Sequence, residues 1–181
     1  MIMKHTQKLN TLPGLAKKVG WFYTLFSTGC LSGYAPVASG TFGTAAAIPL
    51  YLFLMYAGRA LGGGWGHWLL YALITLGLFV LGVRGADKIE IAAEQKDSGI
   101  IVIDEIVGYL VTMFLVPQRW SLIVIGFFVF RFFDIFKPYP IRKFDKDPTL
   151  KGFGVMIDDV LAGVYGAMIM QIIVFATEYY L

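Results

Sequence analysis

Gly152-Phe153-Gly154-Val155-Met156-Ile157-Asp158-Asp159-Val160-Leu161-Ala162-Gly163 opens an apolar run that continues to Ala176. A helix of that length crosses a hydrocarbon core about 30 Å thick, so the medium of this chain is read as lipid. A carboxylate inside such a segment costs roughly 2.5–3.5 kcal/mol on insertion scales unless it meets protein, water or a cation. Two in succession therefore mark a site as well as a span.

Working outward, similar runs recur through the chain. They cover residues 42–61, 65–83 after a Gly62-Gly63-Gly64 loop, 100–116 up to Pro117, 121–136, and finally 155–179. Hydrophobic residues make up 57% of the sequence, above the 45–50% of soluble domains, and the excess lies in these runs. The expected fold is all-α: a polytopic membrane bundle of about five transmembrane or re-entrant helices, forming one domain over 1–181. Residues 1–18 read as a polar, basic leader without the apolar core of a secretory signal. Residues 19–33, with Trp21, Phe22, Leu25 and Phe26, are too short for a span and read as interfacial or re-entrant. Residues 84–99 read as a helical extension followed by a loop, and 137–151 as a proline- and charge-rich loop.

Charge sets the orientation. With the N-terminus inside, five spans place thirteen of the fifteen basic residues on the cytoplasmic side, leaving Arg59 and Arg119 outside. Of the twelve acidic residues only Glu178 falls outside. Asp104 and Glu105 open the third run, Arg131 and Asp134 close the fourth, and Asp158 and Asp159 open the fifth. Independent packing needs would not align these charges at one depth, so they read as a single site at the cytoplasmic interface. The net charge of +3 carries no continuous basic tract, which argues against a nucleic-acid partner.

Carboxylates without histidine or thiolate partners favour a hard cation such as Mg²⁺. His5 lies in the leader and His67 at the outer end of the second run, so neither reaches the cluster. Cys30 is the only cysteine, and Pro36 occupies the place where a cysteine phosphatase loop needs arginine. Arg131, Asp134 and Lys137 recur every three residues, drifting about 60° per step around a helix, and can line one wide cleft. An arginine fork and a lysine point charge suit a phosphate. A divalent metal, two cations and several carboxylates are the equipment of phosphoryl transfer. Ser39-Gly40-Thr41-Phe42-Gly43-Thr44 begins a helix at the same depth and reads either as a cap or as an anion site. Gly108 and Gly163 each follow an acid by four residues and let helices approach closely. Asp87, Glu90 and Glu94 read as a solvated helical face.

Three blocks in this order also resemble a known family. They are Ile103-Asp104-Glu105-Ile106-Val107-Gly108, Phe130-Arg131-Phe132-Phe133-Asp134-Ile135-Phe136-Lys137-Pro138-Tyr139-Pro140-Ile141-Arg142, and the opening stretch 152–163. Together they are similar to the signature blocks of bacterial phosphatidylglycerophosphatase A over roughly 33–166. The resemblance implies a Mg²⁺-dependent, multi-pass enzyme of the bacterial inner membrane with its site facing the cytoplasm. It would hydrolyse phosphatidylglycerophosphate to phosphatidylglycerol and phosphate. The acidic block positions are Asp104, Glu105, Asp134, Asp158 and Asp159, with Asp97 ahead of them, and the basic ones are Arg131 and Lys137.

In the resulting expectation Asp104, Glu105, Asp158 and Asp159 hold the metal. Arg131 and Lys137 bind the phosphate with help from Ser39, Gly40, Thr41 and Thr44, and Asp134 positions a ligand, a water or Lys137. The attacking group is a water or a carboxylate. The rivals are another Mg²⁺-dependent lipid phosphatase or phosphotransferase, and a cation-coupled transporter. The phosphotransferase pattern of spread aspartates is missing from the sequence. Transporters place their acids near the midplane rather than at one face.

Overall fold

The computed structural model describes residues 12–94, 98–145 and 149–180. Within them the chain is built of helices joined by turns: α1 (Leu12–Val19), α2 (Trp21–Ser27), α3 (Ser39–Ala60), α4 (Gly64–Ala93), α5 (Ile103–Thr112), α6 (Trp120–Phe136), α7 (Ile141–Asp145) and α8 (Lys151–Tyr180). No strand occurs among the described residues. Among the described residues three helices are long and apolar enough to cross a membrane: α3, α4 and the Lys151–Glu178 stretch of α8. The helical extension expected after residue 84 is present, because α4 continues unbroken to Ala93.

The third apolar run departs from a spanning helix. Only Ile103–Thr112 is helical, ten residues or about 15 Å, half of a hydrocarbon core. α6 has seventeen residues, the lower limit for a span. Apolarity of 100–116 has another cause: α5 is the centre of the bundle, packed against α3, α4, α6 and α8. Ile103, Val107, Tyr109 and Leu110 are all buried.

A short helix ending inside the bundle leaves carbonyl groups without partners, and irregular backbone at membrane depth persists only where protein supplies them. Side chains from the long helices do so. Tyr71 Oη donates to the Leu110 carbonyl at 2.8 Å, and Tyr51 Oη to that of Val116 at 2.9 Å. Gln171 Nε2 donates to the Phe114 carbonyl at 2.9 Å. Tyr109 of α5 itself reaches the Ile123 carbonyl in α6 at 3.1 Å. The three tyrosines are fully buried and meet edge to face around Tyr51, with ring centroids 6.4 and 6.5 Å apart.

Glycines set the spacing of α5 and α8. A Cβ on Gly163 would strike the Gly108 carbonyl, and one on Gly108 would lie 2.7 Å from the Asp159 carbonyl. The close approach expected of these two positions is therefore between these two helices.

The N-terminal helices brace the lower end of α4. Leu15 and Ala16 of α1 are buried, Lys18 Nζ reaches the Ala92 carbonyl at 3.4 Å, and Lys88 Nζ sits 4.9 Å above the Tyr23 ring. α2 has seven residues, too few to cross, and leaves Trp21 and Phe22 exposed as an interfacial segment does. The segment entering α5 is tied back to α2, since Val102 N–H donates to the Ser27 carbonyl at 2.9 Å.

Two local readings change. Asp87 is half-buried rather than on a solvated face, and its Oδ1 accepts the Gly152 N–H at 2.8 Å, satisfying an otherwise unpaired donor in the first turn of α8. The loop at 137–151 contains α7, which buries Ile141 completely.

Candidate active site

Each charged residue of the proposed site sits at a helix end that the packing brings to one level. Asp104 and Glu105 form the first turn of α5, where unpaired N–H groups favour negative charge. Asp158 and Asp159 lie two turns into α8, Arg131 and Asp134 in the last two turns of α6, and Gly40 in the first turn of α3. Asp104, Asp158 and Asp159 are at most 8% exposed. Burial to that degree within apolar helices is unexplained unless the carboxylates are partnered.

Asp104, Glu105 and Asp159 converge, each offering a carboxylate oxygen within 4.8 Å of the others. Their mutual repulsion in a poorly solvated site is relieved by a cation between them or by protonation. Glu105 Oε2 and Asp159 Oδ2 are buried with no hydrogen-bond partner. Hard oxygen donors gathered within reach of one another are the donor set of Mg²⁺ or another hard divalent cation, so the residues fit the metal that the sequence implied.

Asp158 stands next to this trio in the chain and has a charged partner of its own. Its Oδ2 pairs with Lys137 Nζ. Consecutive helical residues point about 100° apart, so Asp158 and Asp159 face different neighbours. Lys137 reaches it because the residue ends α6 in the left-handed conformation, φ 42°, with its N–H on the Phe133 carbonyl at 2.9 Å. Arg131 Nη1 pairs with Asp134 Oδ2 across one turn of α6. Each cation is thus held by an acid outside the trio. Arg131 Nε remains buried without a hydrogen-bond partner.

The start of α3 also reaches the site. A Cβ on Gly40 would collide with Glu105 Oε1 and lie 3.0 Å from Arg131 Nη1, so any side chain there would enter the space between acid and base. Ser39 and Thr41 flank it, half-buried. The N–H groups of Thr41 and Phe42 are directed to the Ala38 carbonyl at 2.8 and 3.3 Å. Thr44 is fully buried and its hydroxyl donates to the Gly40 carbonyl at 2.8 Å. His67 lies at the other end of the bundle, stacked on Trp68 and packed against Gly58. Asp97, matched by resemblance alone, lies outside the described residues.

Sequence reasoning overlooked Asp87, whose backbone contact fixes where α8 begins and hence where Asp158 and Asp159 stand. Its only signal was a carboxylate preceding a span whose start, Gly152-Phe153-Gly154, has no capping side chain of its own.

Comparison with known proteins identifies the family. The profile of phosphatidylglycerophosphatase A matches residues 25–174. The chain is 35% identical to phosphatidylglycerophosphatase A of Escherichia coli over 150 residues, 82% of this chain and 81% of that protein. It is 37% identical to the Haemophilus influenzae protein of the same name over 158 residues, 87% of this chain and 89% of that one. A putative phosphatidylinositol-3-phosphatase of Bacteroides thetaiotaomicron is 36% identical over 163 residues, 86% of this chain and 96% of that protein. No solved structure matches. The matched residues include every charged side chain of the cluster, and the chain belongs to the phosphatidylglycerophosphatase A family.

Proposed function

We propose that this protein is a Mg²⁺-dependent phosphatase that hydrolyses the terminal phosphomonoester of phosphatidylglycerophosphate at the cytoplasmic face of a bacterial inner membrane. The observation that carries the reading is the convergence of Asp104, Glu105 and Asp159 within 4.8 Å beside two held cations, in a bundle whose long helices are of membrane length. Asp104, Glu105 and Asp159 would hold the cation. Bound there, Mg²⁺ supplies positive charge for the phosphoryl oxygens. Arg131 and Lys137 orient the phosphate, and Asp134 and Asp158 hold these two cations in place before substrate arrives. Gly40, having no Cβ, lets the start of α3 pass close against Glu105 and Arg131.

The membrane orientation does not depend on whether the α5–α6 hairpin crosses or re-enters. Either way it returns to the side where it started, and the basic residues outside the hairpin divide as before. Thirteen of fifteen then lie with the acidic cluster, which supports a cytoplasmic site.

A second reading keeps the chemistry and changes the headgroup, because a relative of similar identity carries a phosphatidylinositol-3-phosphatase name. The test is phosphate release by the purified full chain in mixed micelles, with Mg²⁺ and with chelator. The substrates are phosphatidylglycerophosphate and phosphatidylinositol 3-phosphate. Release from the first alone, lost on chelation, is expected. Release that survives chelation sinks the metal assignment, and release from the second alone transfers the proposal to that headgroup.

A further inference from the structure

A lateral cavity of about 580 Å³ lies between α4, α5 and α8, walled by Leu76, Phe79, Val107, Phe114, Val160 and Val164 among others. Three polar side chains border it, and each donates a hydrogen bond to backbone: Tyr71 to Leu110, Thr75 to Tyr71, Gln171 to Phe114. The rest of the wall is hydrocarbon, which suits an acyl chain better than a polar headgroup. Leu76, Val164 and Met168 are exposed along its mouth, so the groove opens sideways, toward lipid in a membrane-spanning bundle.

Its position ties it to the acidic site. Ile157 and Val160, which bracket Asp158 and Asp159 in sequence, wall its near end together with Val107. Val107 follows Asp104 by three residues and shares that side of α5. From Ile157 to Gln171 the groove follows α8 for about 21 Å, reaching from the level of the carboxylates past the midplane of a hydrocarbon core about 30 Å thick. Such a shape suits one extended hydrocarbon chain hanging from the level of the charged cluster.

We propose that this groove holds one acyl chain of the phospholipid substrate while its phosphate lies at the carboxylates. The proposal rests on the phosphatase reading above and adds the subsite that would make the enzyme prefer long-chain lipids. Val164→Trp and Ala167→Trp, which fill the groove, are expected to lower the ratio of kcat/KM for dioleoyl over dihexanoyl phosphatidylglycerophosphate at least ten-fold. An unchanged ratio in both variants overturns the proposal.

A second measurement needs no variant. A phospholipid carrying a diazirine near the end of one chain is photolysed with the wild-type protein in vesicles. Label is expected in 71–79 and 157–171, and should fall several-fold under excess unlabelled phosphatidylglycerol. Label spread evenly along the exposed face of α6, or cross-linking of this surface to a second copy of the chain, overturns it. Should the wild type hydrolyse neither substrate, the phosphatase reading fails, yet the label still reports whether the groove takes a chain.

Discussion

Asp158 and Asp159 are neighbours with different partners. Asp159 belongs to the carboxylate trio, whereas Asp158 holds Lys137. On the proposed reading, Asp159→Asn removes a metal ligand. We expect activity to fall at least 100-fold at ordinary Mg²⁺, since even outer-shell changes cost about 10–100-fold, with partial recovery as Mg²⁺ is raised. Asp158→Asn leaves Lys137 without its charged partner. A loss of about 10–100-fold in kcat/KM is expected, with the half-saturating Mg²⁺ concentration moving less than about two-fold. A Mg²⁺ titration of both variants separates the roles; equal displacement would return Asp158 to the ligand set. Tyr51 makes a contrasting residue-scale case. Tyr51→Phe strips the Val116 carbonyl of its donor and should cost about 1–3 kcal/mol of stability. Tyr51 stands eleven residues, or about 16 Å, beyond Gly40 in α3, so turnover per folded molecule should stay unchanged. Thermal unfolding in detergent, read beside specific activity, checks both halves.

The decisive element is α5, ten residues long and enclosed by four helices. Its contact with α8 has no slack at Gly108 and Gly163, where a Cβ would meet backbone. Gly163→Ala must therefore push the two helices apart. A cost of about 1–3 kcal/mol is expected from overpacking. Because the same contact holds Asp104 and Glu105 against Asp159, Mg²⁺ affinity should weaken along with the melting temperature. A variant that melts earlier but binds Mg²⁺ as tightly as wild type would show that the trio tolerates helix separation. The start of α3 offers the opposite case. Ala38 precedes the helix with φ 52°, a left-handed conformation that costs an L-residue roughly 1–2 kcal/mol. Ala38→Gly should therefore raise the melting temperature by a few degrees.

At the scale of the molecule, the charge pattern predicts a bundle with its acidic end and most basic residues inside the cell, and its C-terminus outside. Alkaline phosphatase fused after Leu181 should be active, and a fluorescent protein at the N-terminus should fold and emit; an inactive C-terminal fusion would contradict the orientation. The aromatic residues left exposed on α2 and α6, including Trp21, Phe22, Phe128 and Phe132, are the surface such a bundle presents to lipid and its interface. This is also why composition disclosed the medium so readily. The lipid-facing and core-facing surfaces are both apolar, so whole segments stand out.

That uniformity explains what remained hidden. Apolarity told α3, α4 and α8 from their loops, and charges placed where the solvent made them costly identified Asp104, Glu105, Asp134, Asp158, Asp159, Arg131 and Lys137 as one constellation. It did not distinguish a lipid-facing span from a helix buried by its neighbours, so 100–116 read as a span although α5 stops at Thr112. Nor did sequence adjacency reveal which acids share a cation. Those assignments depend on helix phase and on backbone approach at Gly40, Gly108 and Gly163. The chain by itself determined helices long and apolar enough to cross a membrane and the charged residues that stand out against them. Only the packing of α5 against α8 decided that three carboxylates meet while the fourth turns to Lys137, because residues 100° apart on one helix face different neighbours.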